Sequence, residues 1–253
     1  MTQLISNNND SNDNKDNDET FISHLEALRT MLLNSIKAVL FLSPIGFWAA
    51  PKCINFLVNN SLPDGMTKLH YFAPMEVFIL QIKAGVVIAF ILAFPFIASE
   101  IKKFITPALY EHERKFLTLL TSVSVGLFIF GALFCVFFII PLVMNFSAGF
   151  STNQIEATLG LGNFINISAG LTLAFGLMFQ FPLLILLAVK FNLIETSVLK
   201  DKRPYVVVII LILAALLTPP DIISQLMLAV PTYLLFEIGL FAAAKIEKNN
   251  KNN

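Results

Sequence analysis

The stretch YVVVIILILAALLTPPDIISQ, residues 205–225, decides what kind of protein this is. Twelve consecutive aliphatic residues, 206–217, carry no charge and no polar side chain, and Thr218-Pro219-Pro220-Asp221 then stops any helix they form. Proline has no N–H to continue the ladder, and its ring clashes with the carbonyl four residues back. A helix apolar on every side has no face for water, so it belongs in a core or a bilayer. Its apolar length, about 18–20 Å, is short against a hydrocarbon thickness of about 30 Å. Working outward, residues 27–50, 74–99, 116–146, 164–189 and 222–244 are further apolar runs, each meeting the roughly 20 residues a crossing requires. The chain therefore reads as an all-α membrane protein of six transmembrane helices with a short fifth helix. The Pro-Pro turn would sit in locally thinned bilayer or below the far surface under protein cover. A re-entrant hairpin is the competing reading.

Composition agrees. Of 253 residues 56% are hydrophobic and 13% charged, half the roughly 25% charge of soluble domains, and the mean hydropathy is +0.75. Seventeen bases balance seventeen acids, which leaves no basic excess for a nucleic acid. Two cysteines exclude a disulfide framework and a thiolate zinc site. His24, His70 and His112 are scattered, so no metal cluster is expected. The P-loop, GxSxG and HExxH patterns are absent, so no catalytic residue or cofactor is expected either.

Charge gives the orientation. With the N-terminus cytoplasmic, thirteen Lys and Arg residues fall on the inner side and only Lys52 and Lys68 on the outer, while Lys37 and Lys83 lie within runs. Positive charge stays inside, so both termini are expected in the cytoplasm. Residues 1–22 read as a disordered, acidic, Asn-rich tail, 23–244 as the six-span domain and 245–253 as a second cytoplasmic tail. The first twenty residues lack the basic and apolar regions of a signal peptide, so the first span is expected to be retained. Five runs contain proline (Pro44, Pro95, Pro141, Pro182 and Pro231). Each bends its helix, and bent helices side by side can form a concave wall. Ordinary membrane tolerance of proline is the alternative. The two halves of the chain are not alike, which weakens a transporter built on repeats.

Few polar groups remain inside the runs. Glu76 opens the second run and favours a helix N-terminus, and Lys83 is expected to snorkel. Gln180, in FGLMFQFP, lies about 15 Å from Lys190 along the axis, near the bilayer centre. Its amide must bond either another helix of this chain or an incoming one. Gln225 and Glu237 pose the same question. The loop SEIKKFITPALYEHERKF, residues 99–116, interleaves Phe104, Ile105, Leu109 and Tyr110 with charge and reads as an interfacial docking surface for a basic ligand.

Together these motifs resemble one family, TatC, the multispan component of the twin-arginine protein translocase. The resemblance rests on HLEALR at 24–29, FAPMEVFILQIK at 72–83, FITPALYEHERK at 104–115, FGLMFQFP at 175–182, KRPYVVV at 202–208 and LLTPPDIISQLMLAVPTYLLFEIG at 216–239. It implies a six-helix bacterial inner-membrane protein that binds the paired arginines of signal peptides on folded cargo. It also implies TatA- and TatB-type single-span partners in a multimeric complex driven by the proton-motive force. Glu113 matches the loop acid expected to read an arginine, with Glu26 assisting and Arg29, Phe104, Pro107 and Tyr110 shaping the site. Guanidinium seeks bidentate carboxylates, which suits these acids. Gln180, Gln225, Pro231 and Glu237 are expected to meet partner helices, and Pro219, Pro220 and Asp221 to form a structural or gating turn. Two positions depart from the pattern: HLxELR here carries Ala27 in place of its acid with Glu26 one residue earlier, and Gln180 stands where Glu is common. A small-solute permease is the competing class, but it would want a polar path across the midplane, where Gln180 alone is clearly central.

Overall fold

The computed structural model describes residues 6–62, 69–108, 111–149, 160–191, 193–217 and 222–251; side chains are described within these except at 6–21, 108, 111–113, 217, 223–224 and 249–251. The described chain is helical nearly throughout. In order come α1 (Ser6–Ser61), α2 (Glu76–Ile105), α3 (Glu111–Phe134), α4 (Ile140–Ala148), α5 (Leu161–Met178), α6 (Phe181–Lys190), α7 (Thr196–Asp201), α8 (Arg203–Leu217) and α9 (Ile222–Lys251). A 3₁₀ turn, Thr106–Ala108, follows α2, and a π-helical segment, Cys135–Ile139, joins α3 to α4.

Five helical stretches are long and apolar enough to cross a membrane: Ile22–Ser61, Glu76–Ile105, Arg114–Ala148, Leu161–Lys190 and Gln225–Lys248. They correspond to five of the six runs. The remaining run, the fifth in chain order, forms α8, whose fifteen residues reach about 22 Å. The helix is short, as its sequence predicts.

The prolines act in two ways. Pro44, Pro51, Pro95 and Pro231 lie inside continuous helices, whereas Pro141 and Pro182 stand at interruptions. Pro141 cannot donate to the carbonyl four residues back. The ladder before it shifts register instead, with Ile140 N–H donating to the Cys135 carbonyl, a π bond. That shift leaves the Val136 carbonyl without a ladder donor, because position 141 has no N–H. The side chain of Asn60 on α1 donates to it at 3.2 Å. Around Pro182, Gln180 N–H turns back to the Leu177 carbonyl at 2.9 Å, and α5 ends two residues before α6 begins.

Packing is closest where side chains are smallest. α1 lies along α2, and a methyl added at Gly46 would overlap the Gly85 carbonyl oxygen, while one at Gly85 would stand 2.9 Å from the Phe47 backbone. Between membrane helices such contact replaces the hydrophobic drive that lipid removes. The main core joins Cys135, Ile139 and Ile140 with Phe164, Phe175, Phe179, Ala214 and Leu228. A second cluster, Ile185, Val189, Phe236, Leu240 and Ala243, binds α6 to α9. Phe94 stacks on Phe128 with ring centroids 3.7 Å apart.

The outside is as apolar as the inside. Phe41 and Leu216 are 82% exposed and Phe241 77%, a surface suited to acyl chains and not to water. At the N-terminus the structure carries α1 back to Ser6, through most of the segment whose composition reads as a solvated tail. Extending an existing helix adds one hydrogen bond per residue without a new nucleus, so a poor helix-forming sequence can follow a well-anchored one.

Candidate functional site

One polar surface forms where the start of α1 meets the end of α2. The His24 and Phe104 rings lie 5.8 Å apart, which brings the HLEALR segment onto the turn after α2. Further into α1, Asn34 donates to Glu100 Oε2 at 3.1 Å, and Lys103 bonds Glu100 Oε1 at 2.5 Å. Glu100, with a side chain only 17% exposed, is thus held from both helices. Glu26 and Arg29 are exposed and belong to neither of the two ion pairs of the described residues, Lys103–Glu100 and Arg203–Glu237. Phe104 is half-buried and Pro107 exposed in the 3₁₀ turn. Tyr110 and the side chain of Glu113 lie outside the described residues, although Glu113 falls in the first turn of α3.

A groove runs from this surface to Gln180, with a volume of about 180 Å³, between α2, α3 and the α5–α6 break. Lys102 stands in its lining with Phe94, Thr121, Leu184 and both Ser124 and Gln180. Ser124 Oγ donates to Gln180 Oε1 at 2.5 Å, and Gln180 Nε2 donates back to the Ser124 carbonyl at 3.2 Å and weakly to Gly176 at 3.5 Å. The Gly176 carbonyl is the one left open when Gln180 N–H turns to Leu177. Gln180 therefore joins two helices of this chain and patches the break beside it, so a partner span would have to compete with Ser124.

A second set of polar bonds lies along α9, two of them reaching α8. Arg203 Nη2 donates to Glu237 Oε2 and Tyr233 OH to Glu237 Oε1, both at 2.8 Å. Gln225 Nε2 donates to the Leu211 carbonyl at 2.8 Å. Pro231 is half-buried within α9; next to it Thr232 is buried and its hydroxyl donates to the Leu228 carbonyl at 2.9 Å. Pro219, Pro220 and Asp221 lie outside the described residues. Among the described residues no three His, Cys, Asp or Glu side chains converge as a metal site.

Glu76 behaves as a helix-start acid: Oε2 accepts the Phe72 and Ala73 N–H groups at 2.7 and 3.3 Å. Lys83 donates to Asn166 Oδ1 on α5 at 3.1 Å. Asn34, Asn60, Ser124 and Asn166 went unnoticed in the sequence; each is an ordinary small polar residue until a second helix stands beside it.

Comparison with known proteins decides the family. Residues 23–231 match the profile of "Sec-independent protein translocase protein (TatC)". This chain belongs to the TatC family. Relatives of that name include the Escherichia coli K12 protein, 35% identical over 229 residues covering 88% of this chain and 87% of the relative. The Magnetococcus marinus protein is 33% identical over 229 residues, covering 90% and 84%. A crystal structure of "Twin Arginine Translocase Receptor- TatC" superposes with a TM-score of 0.79 at 32% identity, over 89% of this chain and 99% of that one. A second, of the same receptor in DDM, gives 0.80 at 34% identity, over 87% and 99%. The TatC assignment makes this a multi-pass membrane component of twin-arginine protein transport, and a transport protein, not an enzyme.

Proposed function

We propose that this TatC-family chain is the component that reads twin-arginine signal peptides at the cytoplasmic face of the bacterial inner membrane. It crosses six times, α8 being the fifth span, with both termini in the cytoplasm, as the thirteen-to-two distribution of Lys and Arg supports. The observation that carries the reading is the contact of His24 with Phe104, which sets the α1 motif beside the turn leading to Glu113. Glu113 is the first reader of a guanidinium and the exposed Glu26 the second, with Arg29, Phe104, Pro107 and Tyr110 shaping the surface. Carboxylates suit this role because they accept both N–H groups of an always-charged fork. The apolar part of the peptide then follows the groove that starts at Lys102 and reaches Gln180. TatA- and TatB-type single-span proteins pack against the later spans, where Gln180, Gln225, Pro231 and Glu237 lie, in a multimeric complex driven by the proton-motive force. The Pro219-Pro220-Asp221 turn ends the short span, and the acidic residues 1–22 stay outside the six-span domain.

The test is complementation of a bacterium lacking its own TatC, with this chain and its single-span partners expressed together. Export of a twin-arginine reporter but not of its twin-lysine counterpart is expected. Export of both would remove arginine reading from the proposal. Loss of both, with the protein inserted and its partners bound, would place the fault in recognition, and Ala27→Glu would be the variant to try.

A further inference from the structure

We propose that Lys83 and Asn166 bind the phosphate of a phospholipid, one from the leaflet that the N-terminal end of α2 enters. Lys83 lies seven residues into α2 from Glu76, about 10 Å along the axis, and it is exposed. Its surroundings are hydrocarbon-facing: Ile79, Ile82 and Val86 are 49%, 43% and 48% exposed. A bare cation in such a place is costly and calls for an anion. Asn166 on α5 provides one neutral acceptor at 3.1 Å, leaving two ammonium N–H groups and the Asn166 Nδ2 without an acceptor among the described residues.

Among the described residues no acid pairs with Lys83. The two ion pairs of the described residues are Lys103–Glu100 and Arg203–Glu237. Glu76 forms no ion pair with Lys83: one oxygen accepts the Phe72 and Ala73 N–H groups and the other lies against Gly162. Asn163, exposed one turn before Asn166, adds a second amide on the same face of α5. Donors without acceptors, open to acyl chains and near one interface, are what a phosphate diester satisfies. Its tails run deeper along α2 past Val86 while its oxygens take the charge-assisted bonds. A net-anionic lipid is preferred to a zwitterionic one, because phosphatidylethanolamine brings its own ammonium.

The test is titration of phosphatidylglycerol, with phosphatidylethanolamine and phosphatidylcholine beside it, into the purified full-length protein, with bound lipid counted by native mass spectrometry. Lys83→Met should weaken phosphatidylglycerol binding roughly tenfold, the loss of one good charge-assisted contact. Lys83→Arg should keep it, and Lys52→Met, a change at an exposed cation elsewhere, should not alter it. Should Lys83→Met not accumulate, Lys83→Gln keeps a donor toward Asn166, removes the charge and is expected to give the same weakening. Unchanged affinity in a stable Lys83→Met or Lys83→Gln protein would overturn the proposal. So would equal weakening by Lys52→Met, which would reduce the effect to general electrostatics. Retained lipid binding in those variants with loss of single-span partner proteins would overturn it as well, and would assign Lys83 to a carboxylate of the partner.

Discussion

Asn60 on α1 donates its side-chain amide to the backbone carbonyl of Val136, 3.2 Å away on another helix, at the one carbonyl that Pro141 and the π register together leave open. In a bilayer an orphaned carbonyl has no water to turn to, so the bond serves as a splice between an irregular backbone and its neighbour. Asn60→Leu removes the donor and is expected to lower stability by about 0.5–1.5 kcal/mol. Thermal unfolding in detergent reads this directly. Asn60→Asp, which cannot donate when ionised, should do no better than Leu.

Gln180 and Ser124 exchange two hydrogen bonds across α3 and the α5–α6 break. Gln180→Leu and Ser124→Ala should each reduce stability, with the double variant losing less than the sum. A coupling of about 0.5–2 kcal/mol is expected for residues in direct contact. An additive double mutant would mean that the two side chains do not act as a unit. If the stable variants still lose partner association, the amide's role at the partner interface is supported.

Glu237 accepts from both Arg203 and Tyr233. The two charged side chains are 44% and 31% exposed, so if polar surroundings screen them the pair contributes no more than about 1 kcal/mol. Glu237→Gln should preserve the Tyr233 bond and change the unfolding temperature little. Glu237→Leu should be the worse substitution, because Tyr233 and Arg203 then both stand without the acceptor oxygen that Gln retains. Equal effects from the two would show that the charge, and not the shape, carries the contact.

At Gly85 the space is backbone, not side chain. An added Cβ would lie 2.9 Å from Phe47 N and Cα, closer than such atoms come, and helix backbone cannot yield as a flexible side chain does. Gly85→Leu should therefore force α1 from α2 and destabilise the fold by at least about 2 kcal/mol. Reduced accumulation in membranes and increased proteolysis are the measurements.

For signal reading, Glu113→Ala should weaken crosslinking of a twin-arginine peptide by roughly tenfold, the scale of one lost charge-assisted contact. Glu26→Ala should weaken it less. Intact crosslinking in a stable Glu113→Ala protein would remove that residue from the role.

Much of this molecule follows from the sequence alone, for a physical reason. The apolar runs, the short α8 and the charge asymmetry depend on local chemistry: whether side chains suit lipid, and whether a residue has an N–H for the carbonyl four back. The TatC-type motifs are likewise contiguous strings. Only the tertiary structure decided what receives each exposed bond. The Val136 carbonyl met a donor 76 residues away, Gln180 met Ser124 across 56, and Lys83 met Asn166 across 83. Gln180 was legible as an amide needing a partner, but nothing beside it in the chain told Ser124 from an incoming helix. Lys83 was legible as a costly charge, yet its sideways turn to α5 depends on how closely α2 and α5 pack. Those distances are set by side-chain volume and helix crossing, such as the backbone contact at Gly46 and Gly85, and a one-dimensional string does not contain them until the helices are placed.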